Sequence, residues 1–227
     1  NAIPREAKVH LVVKDSDCTI FYELLDKQIK IILEEYKAIE PAINIQSSEI
    51  NAAQKVMNSS DFKKIINLLC SIHNGVYRMS PDIKGLVEVS SSLARVIIQN
   101  GTFTSQSLQR SSVESTKAEI AMTIRCAFEN SGCEVIQGGD YPGWKPNPNS
   151  DILKCMEQLY KNMFRENPKV KACHAGLECG ILKSKKSDMD ILSFGPTIRG
   201  AHSPTERLEI ATVEPFWLFL VALLRAI

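Results

Sequence analysis

The first long run of apolar residues repeats at helical spacing. From about Asp15 to Ala38 an apolar side chain recurs every three or four residues, which predicts an amphipathic helix that stops before Pro41. Before it, Ala7–Val13 alternates between apolar and polar positions and predicts a strand. After it, Asp61–Cys70 predicts a second helix. The apolar positions of the first helix are Phe21, Leu24, Leu25, Ile29, Ile32 and Leu33.

A hairpin is the clearest local signal in the chain. Two strand-like runs, Leu86–Ile98 and Thr102–Ser111, flank Asn100-Gly101, the dipeptide that two-residue hairpin turns favour. A helix is predicted next, over about Ser115–Asn130. Residues 1–134 therefore predict an α+β domain, an antiparallel sheet with helices on one face.

The pattern changes in a Gly- and Pro-rich stretch, residues 138–148, so we place a domain boundary near residue 135. Beyond it, helices and short strands alternate, which predicts part of a parallel α/β sheet in residues 135–227. The predicted elements are helix Asp151–Phe164, strand Val170–Cys173, helix Leu177–Leu182, strand Met189–Phe194 and helix Val213–Ala226.

Composition and charge limit the classes of binding partner that the sequence predicts. The net charge is +1, from 27 basic and 26 acidic residues, which gives no reason to expect a nucleic-acid or membrane partner. The longest apolar run, Phe216–Leu224, is too short to span a bilayer and predicts a buried terminal helix. Seven cysteines, an odd number without paired spacing, indicate reduced thiols and a cytoplasmic protein.

Few residues of the sequence are candidates for metal binding or ligand binding. His202 lies in a loop beyond a predicted strand, where α/β proteins build sites, and an imidazole there suits either a metal or an ordinary polar role. His174 and Glu178 are four residues apart beside Gly176 and Gly180, which favours a tight loop entering a helix as much as a ligand-binding segment. Arg110 ends the second hairpin strand, where a guanidinium could bind a carboxylate or simply face solvent.

Several motifs, in order, resemble one family. Asn1–Ala7 (NAIPREA) resembles a strand motif in the lid, or dimerisation, domain of two-metal exopeptidases, a group that includes carnosinases and peptidase T. The later motifs resemble the bacterial aminoacyl-histidine (Xaa-His) dipeptidases. These are Asn74-Gly75-Val76, Gly85-Leu86-Val87-Glu88, Tyr141–Trp144 (YPGW), His174–Gly180 (HAGLECG), Gly195-Pro196-Thr197 and Gly200-x-His202-Ser203-Pro204. The resemblance spans the whole chain and is densest after residue 138.

This resemblance implies roles for individual residues. His202 matches the family's last zinc ligand, and Glu206 follows it as a supporting residue beside that ligand. Arg110 matches the lid arginine that holds the substrate's C-terminal carboxylate, and Asn1 matches the lid asparagine near the substrate carbonyl. His174 and Glu178 match a segment that lines the pocket.

The chain departs from the family by lacking most of the metal centre. The family's His-x-Asp pair, bridging aspartate, Glu-Glu pair and further aspartate ligand are not in this sequence, so we expect an upstream portion that supplies them. In the complete enzyme two zinc ions would activate water, and a glutamate would act as general base. We expect no catalytic base in this chain, no stoichiometric zinc and no activity on its own, and a homodimer through the lid domain.

The resemblance therefore implies a zinc metallopeptidase that hydrolyses dipeptides, preferentially Xaa-His such as β-alanyl-histidine. Another superfamily member, a tripeptidase or an N-acyl amino-acid deacylase, is the alternative enzyme. A dimerisation module without catalysis is the alternative of a different class. The upstream metal carboxylates would separate an enzyme from such a module.

Overall fold

The computed structural model describes residues 4–51, 53, 55–147, 149–172, 178–201 and 203–227. These divide into two compact units, Arg5–Phe62 and Lys63–Ile227. Across the described residues, the helices and strands in chain order are α1 (Cys18–Tyr36), α2 (Ser59–Ser71), β1 (Gly75–Met79), β2 (Val87–Gln99), β3 (Thr102–Ser111), α3 (Glu114–Asn130), α4 (Asp151–Phe164), α5 (Glu178–Lys185), β4 (Ile198–Arg199), β5 (Arg207–Leu208) and α6 (Val213–Ala226). Short 3-10 turns precede α1 (Asp15–Asp17) and α6 (Ile210–Thr212).

The first unit contains α1 and little else that is regular. α1 has no buried residue, and Ile20, Leu24 and Ile31 expose about half or more of their surface. The segment Ala7–Val13, predicted as a strand, belongs to no strand, and Val9 is 72% exposed. Alternation alone does not make a strand, because a strand needs a neighbour to share its hydrogen bonds, and none of the described residues pairs with this segment.

The predicted antiparallel layer is confirmed in the second unit. β1, β2 and β3 form one antiparallel sheet in that order, and Gln99 pairs with Thr102 across the predicted turn. Asn100 and Gly101 both have positive φ, 53° and 74°, as the type I′ turn requires. The sequence analysis predicts no strand at β1, whose first residue, Gly75, belongs to Asn74-Gly75, a dipeptide typical of turns.

Helices cover one face of this sheet, as predicted. The core joins side chains from α2, β2 and α3, and Val89 and Ile120 are fully enclosed. The other buried members are Leu68, Ile72, Ile124 and Phe128. Because α2 and α3 share this core with β2, both helices pack on the same face of the sheet.

The mixed α/β class is confirmed, but the two strands predicted after residue 135 are not formed among the described residues. Residues 170–172 and 189–194 belong to no helix or strand, and Cys173 lies outside the described residues. Leu192 instead packs on the second core, which Met156 of α4 forms with Phe219 and Leu223 of α6. The terminal helix α6 is buried on that face only, since Trp217 is 59% exposed.

Among the described residues, no helix is both long and apolar enough to cross a membrane. Six of the seven cysteines are described and none of the six is in a disulfide. The predicted boundary near residue 135 stays a prediction.

Candidate functional site

Arg110 is the penultimate residue of β3, at a strand end that is fixed on several sides. It faces Ser90 across the β2–β3 ladder. Ser111, immediately after it, is buried and its hydroxyl shares a 2.8 Å hydrogen bond with Thr116 of α3. The backbone N–H of Ser112 donates to the carbonyl of Glu88, 3.3 Å away. The strand end that carries Arg110 is therefore a rigid element, the kind of support that a precise binding group needs.

The guanidinium of Arg110 has hydrogen-bonding capacity to spare. Its Nε atom is enclosed and has no hydrogen-bond partner among the described residues. Arg110 lines a groove of about 600 Å³ between β3, α3 and residues 134–141. An enclosed donor without a partner is costly, so an anionic ligand in this groove would satisfy it.

Lys117 is the second cation of this groove, and it is already paired. Its Nζ lies 2.9 Å from a carboxylate oxygen of Glu114 and 2.7 Å from one of Asp140, and it donates to the Tyr141 carbonyl at 2.7 Å. Burial by itself lowers the pKa of Lys117, but the hydrogen bonds with Asp140 and Glu114 outweigh it, and the pKa is raised above 10.5. Lys117 is thus a permanent cation that ties residues 140–141 to α3. A third cation that lines the groove, Arg125, is paired with Glu129 at 2.7 Å. Among these three described cations, Arg110 is the one left for a ligand.

Sequence reasoning missed this cluster. Glu114 and Lys117 are three residues apart on a helix, which is an ordinary surface pattern. Only their approach to Asp140 from a distant segment makes them part of the groove.

The segment predicted to line the pocket is described from Glu178 onward. His174 lies outside the described residues, and Glu178 is the exposed first residue of α5. Burial raises the pKa of the adjacent Cys179 thiol above 9.0, more than the hydrogen bond to its sulfur lowers it. Cys179 is therefore a neutral thiol at pH 7 and is not activated as a nucleophile.

The loop predicted to carry the metal ligand folds as a small hairpin. β4 and β5 pair antiparallel, and Arg199 is joined to Glu209 at 2.6 Å. His202 lies between β4 and β5 in the sequence and outside the described residues. Glu206 is in the same stretch, where its N–H donates to the Ser203 carbonyl at 3.0 Å.

The described residues do not form a metal site by themselves. No group of three His, Cys, Asp or Glu side chains among them could hold a metal ion. A closed zinc site needs four such ligands, so the two-zinc centre stays a prediction from the resemblance, and so does the role of His202. Asn1 also lies outside the described residues.

Comparison with known proteins identifies the relatives of this chain. It is 33% identical over 229 aligned positions to the cytosol non-specific dipeptidase of Escherichia coli strain K12, an alignment that covers all of this chain and 47% of that protein. Its fold matches the crystal structure of aminoacylhistidine dipeptidase from Vibrio alginolyticus with a TM-score of 0.81 and 32% identity, over 95% of this chain and 44% of that one. No protein-family model matches.

The chain spans about half the length of the relatives it matches. Both comparisons cover nearly all of it, and the structural match extends over the sheet and helices described above. The sequence similarity and the shared fold support the assignment of this chain, as one part of a longer protein, to the family of the cytosol non-specific and aminoacylhistidine dipeptidases.

Proposed function

We propose that this chain is the C-terminal part of a zinc-dependent dipeptidase, in which it recognises the free carboxylate of the peptide. The observation that carries the proposal is Arg110, a guanidinium on a rigid strand end whose enclosed Nε has no partner among the described residues. A planar guanidinium binds a carboxylate through two parallel hydrogen bonds. A dipeptidase needs such a group, because it must distinguish a free C-terminus from a continuing chain.

The remaining assignments rest on the resemblance. His202 would supply one zinc ligand from the β4–β5 hairpin, with Glu206 supporting it. Asn1 would lie near the substrate carbonyl, and His174 and Glu178 would line the pocket. A residue of the upstream portion would act as general base. Within this chain, the proposed work is binding and orientation, which by itself supplies a large share of a catalytic effect.

The preferred substrate class is Xaa-His dipeptides such as β-alanyl-histidine. The name of the Vibrio relative, an aminoacylhistidine dipeptidase, favours this class, and that of the Escherichia relative, a non-specific dipeptidase, favours dipeptides in general. The latter name, with a described chain free of disulfides, also supports a cytosolic location. Tripeptides and N-acyl amino acids are the competing substrates.

The test is a substrate panel on the product of the complete gene. We expect hydrolysis of β-alanyl-histidine and other dipeptides, much slower hydrolysis of the matching tripeptides, and loss of activity after chelation that zinc restores. The His202→Ala variant should bind less zinc than wild type, while Glu178→Ala should retain wild-type zinc. Faster hydrolysis of tripeptides or N-acyl amino acids would establish the alternative enzymes. A folded protein without activity on any of them would establish a non-catalytic module.

We also propose a homodimer through the lid domain. The exposed apolar side chains of α1 support it, because Ile20, Leu24 and Ile31 lie on one face of a helix with no buried residue. A second copy of this chain would cover that face. Leu24→Glu should convert the dimer to a monomer in light scattering after gel filtration, whereas Thr19→Glu, on the polar face, should remain a dimer. A monomeric wild type would rule the dimer out.

A further inference from the structure

The YPGW stretch touches the end of β3 more closely than any side chain would allow. A Cβ atom built on Gly143 would lie 2.7 Å from the carbonyl oxygen of Ser111 and 2.9 Å from the carbonyl group of Ser112. Both neighbours are backbone atoms in the buried turn that follows Arg110, so neither can rotate away. Glycine is needed at 143 for this approach and not for its backbone angles.

The opposite side of the same stretch meets α5. A Cβ atom on Gly180, which is buried, would overlap the carbonyl oxygen of Pro142 and lie 3.2 Å from that of Gly143. The dipeptide Pro142-Gly143 is thus enclosed between the strand end that carries Arg110 and the helix that begins at Glu178.

A charged cluster holds the dipeptide in this position. The N–H of Gly143 donates to Glu114 at 2.5 Å, and the other carboxylate oxygen of Glu114 lies 2.9 Å from Lys117. Lys117 in turn donates to the carbonyl of Tyr141. Residues on both sides of Pro142 are therefore bonded to α3, which begins two residues after Ser112.

Such proximity is not general among the glycines of this chain. Gly138 and Gly195 have ordinary backbone angles, and a Cβ on either would meet no heavy atom within 4 Å. Among the described glycines, a Cβ atom would come within 3.0 Å of a neighbour only at Gly143 and Gly180, and the next tightest contact, at Gly200, is 3.2 Å.

From this geometry we infer that Pro142-Gly143 is a spacer of fixed thickness, and that it sets the length of the peptide that the enzyme accepts. The inference rests on the proposed function. If Arg110 holds the terminal carboxylate and α5 borders the bound peptide, as the proposed role of Glu178 requires, the separation of the two decides which peptide bond reaches the reacting centre. One further residue would lengthen an extended substrate by about 3.3–3.6 Å.

A methyl group at this contact should enlarge the separation. The Gly143→Ala variant must extend the 2.7 Å contact toward an ordinary distance of 3.4–4 Å, and the backbone has to move to do so. Misplacement by about 1 Å can cost on the order of 100-fold in rate. Such a shift is too small to admit another residue, so the dipeptide should lose rate while the tripeptide gains little.

The experiment measures kcat/KM for a dipeptide and for the tripeptide with one added residue, using the product of the complete gene. We expect the dipeptide-to-tripeptide ratio to fall about tenfold or more in Gly143→Ala and Gly180→Ala. It should stay within about twofold of wild type in the matched control Gly195→Ala, because Gly195 does not line the groove beside Arg110. A merely structural role would lower both substrates equally and leave the ratio unchanged, and that result in folded variants would overturn the inference.

Two further measurements keep the test decisive. Glu114→Gln retains the backbone but weakens the cluster, so it should lower the same ratio by a smaller factor if Gly143→Ala does not fold. Hydrogen exchange tests the spacer without activity: the amides of Ser112, Val113 and α5 should lose protection together in Gly143→Ala, and in Gly195→Ala neither should change. An inactive wild type would remove the proposed function and the length role, whereas an active wild type with unchanged ratios would remove the length role alone.

Discussion

Replacing Arg110 should separate substrate recognition from folding. Its enclosed Nε has no hydrogen-bond partner among the described residues. Arg110→Ala therefore breaks no described bond of Nε, and its effect on the free energy of unfolding should stay within about 1 kcal/mol. The same change removes the whole proposed contact with the substrate carboxylate.

The expected loss in catalysis is much larger. A charge-assisted, bidentate contact contributes about 2–4 kcal/mol to transition-state stabilisation, which corresponds to a fall of roughly 30- to 1000-fold in kcat/KM. Arg110→Lys keeps the charge but not the planar fork, so it should lie between wild type and Arg110→Ala. Zinc content should not change, because the proposed contact is with the substrate.

The assay compares a dipeptide with its C-terminal amide in the product of the complete gene. Wild type should strongly prefer the free acid, and Arg110→Ala should nearly abolish that preference. Arg95→Ala is the matched control, because Arg95 is an exposed arginine of the same sheet, paired with Gln106. If Arg110→Ala distinguishes acid from amide as well as wild type does, or if Arg95→Ala loses the preference equally, Arg110 does not hold the carboxylate.

Two further predictions concern the stability of the second unit. Ile120 is 0% exposed in the core beneath the sheet, so Ile120→Ala should lower the free energy of unfolding by about 2–5 kcal/mol. Met122 of the same helix is exposed, so Met122→Ala should change that free energy by less than about 0.5 kcal/mol. Urea unfolding followed by circular dichroism measures both, and equal effects of the two variants would contradict the core assignment. The hydrogen bond donated by Ser150, joined by backbone N–H groups at the start of α4, lowers the pKa of Asp190 below 3.8 against a small opposing effect of burial. A lowered folded-state pKa stabilises the fold at pH values above the unfolded pKa, and this stabilisation is lost as the pH falls through the folded value. Asp190→Asn should therefore be less stable than wild type at pH 7, with a difference that shrinks as the pH falls below 3.8. A difference that does not shrink in acid would exclude this origin.

The sequence by itself determined the elements whose signals are local. Asn100-Gly101 set the hairpin because both residues can adopt positive φ. The ends of α4, Asp151–Phe164, and of β3, Thr102–Ser111, agree with the sequence prediction at every residue. Strong periodicity between clear stop signals suffices for such elements, since their hydrogen bonds are made within the element or across one short turn.

Other features depended on distant partners. No strand was predicted over Gly75–Met79, and this segment forms β1 because β2 offers it an edge to pair with. Conversely, residues 189–194 have a strand-like pattern but no described neighbour to pair with, so they pack on α4 and α6 without becoming a strand. Strand formation is decided by the partner as much as by the sequence.

The candidate site also combines a residue that the sequence singles out with contacts that only the tertiary structure reveals. Arg110 could be singled out from its place at the end of a predicted strand and from the family motifs. The pairing of Lys117 with Asp140 and the contact of Gly143 with Ser111 join residues more than 20 positions apart. No local pattern encodes such contacts, because they arise only when the packed core brings α3, the YPGW stretch and α5 to one place.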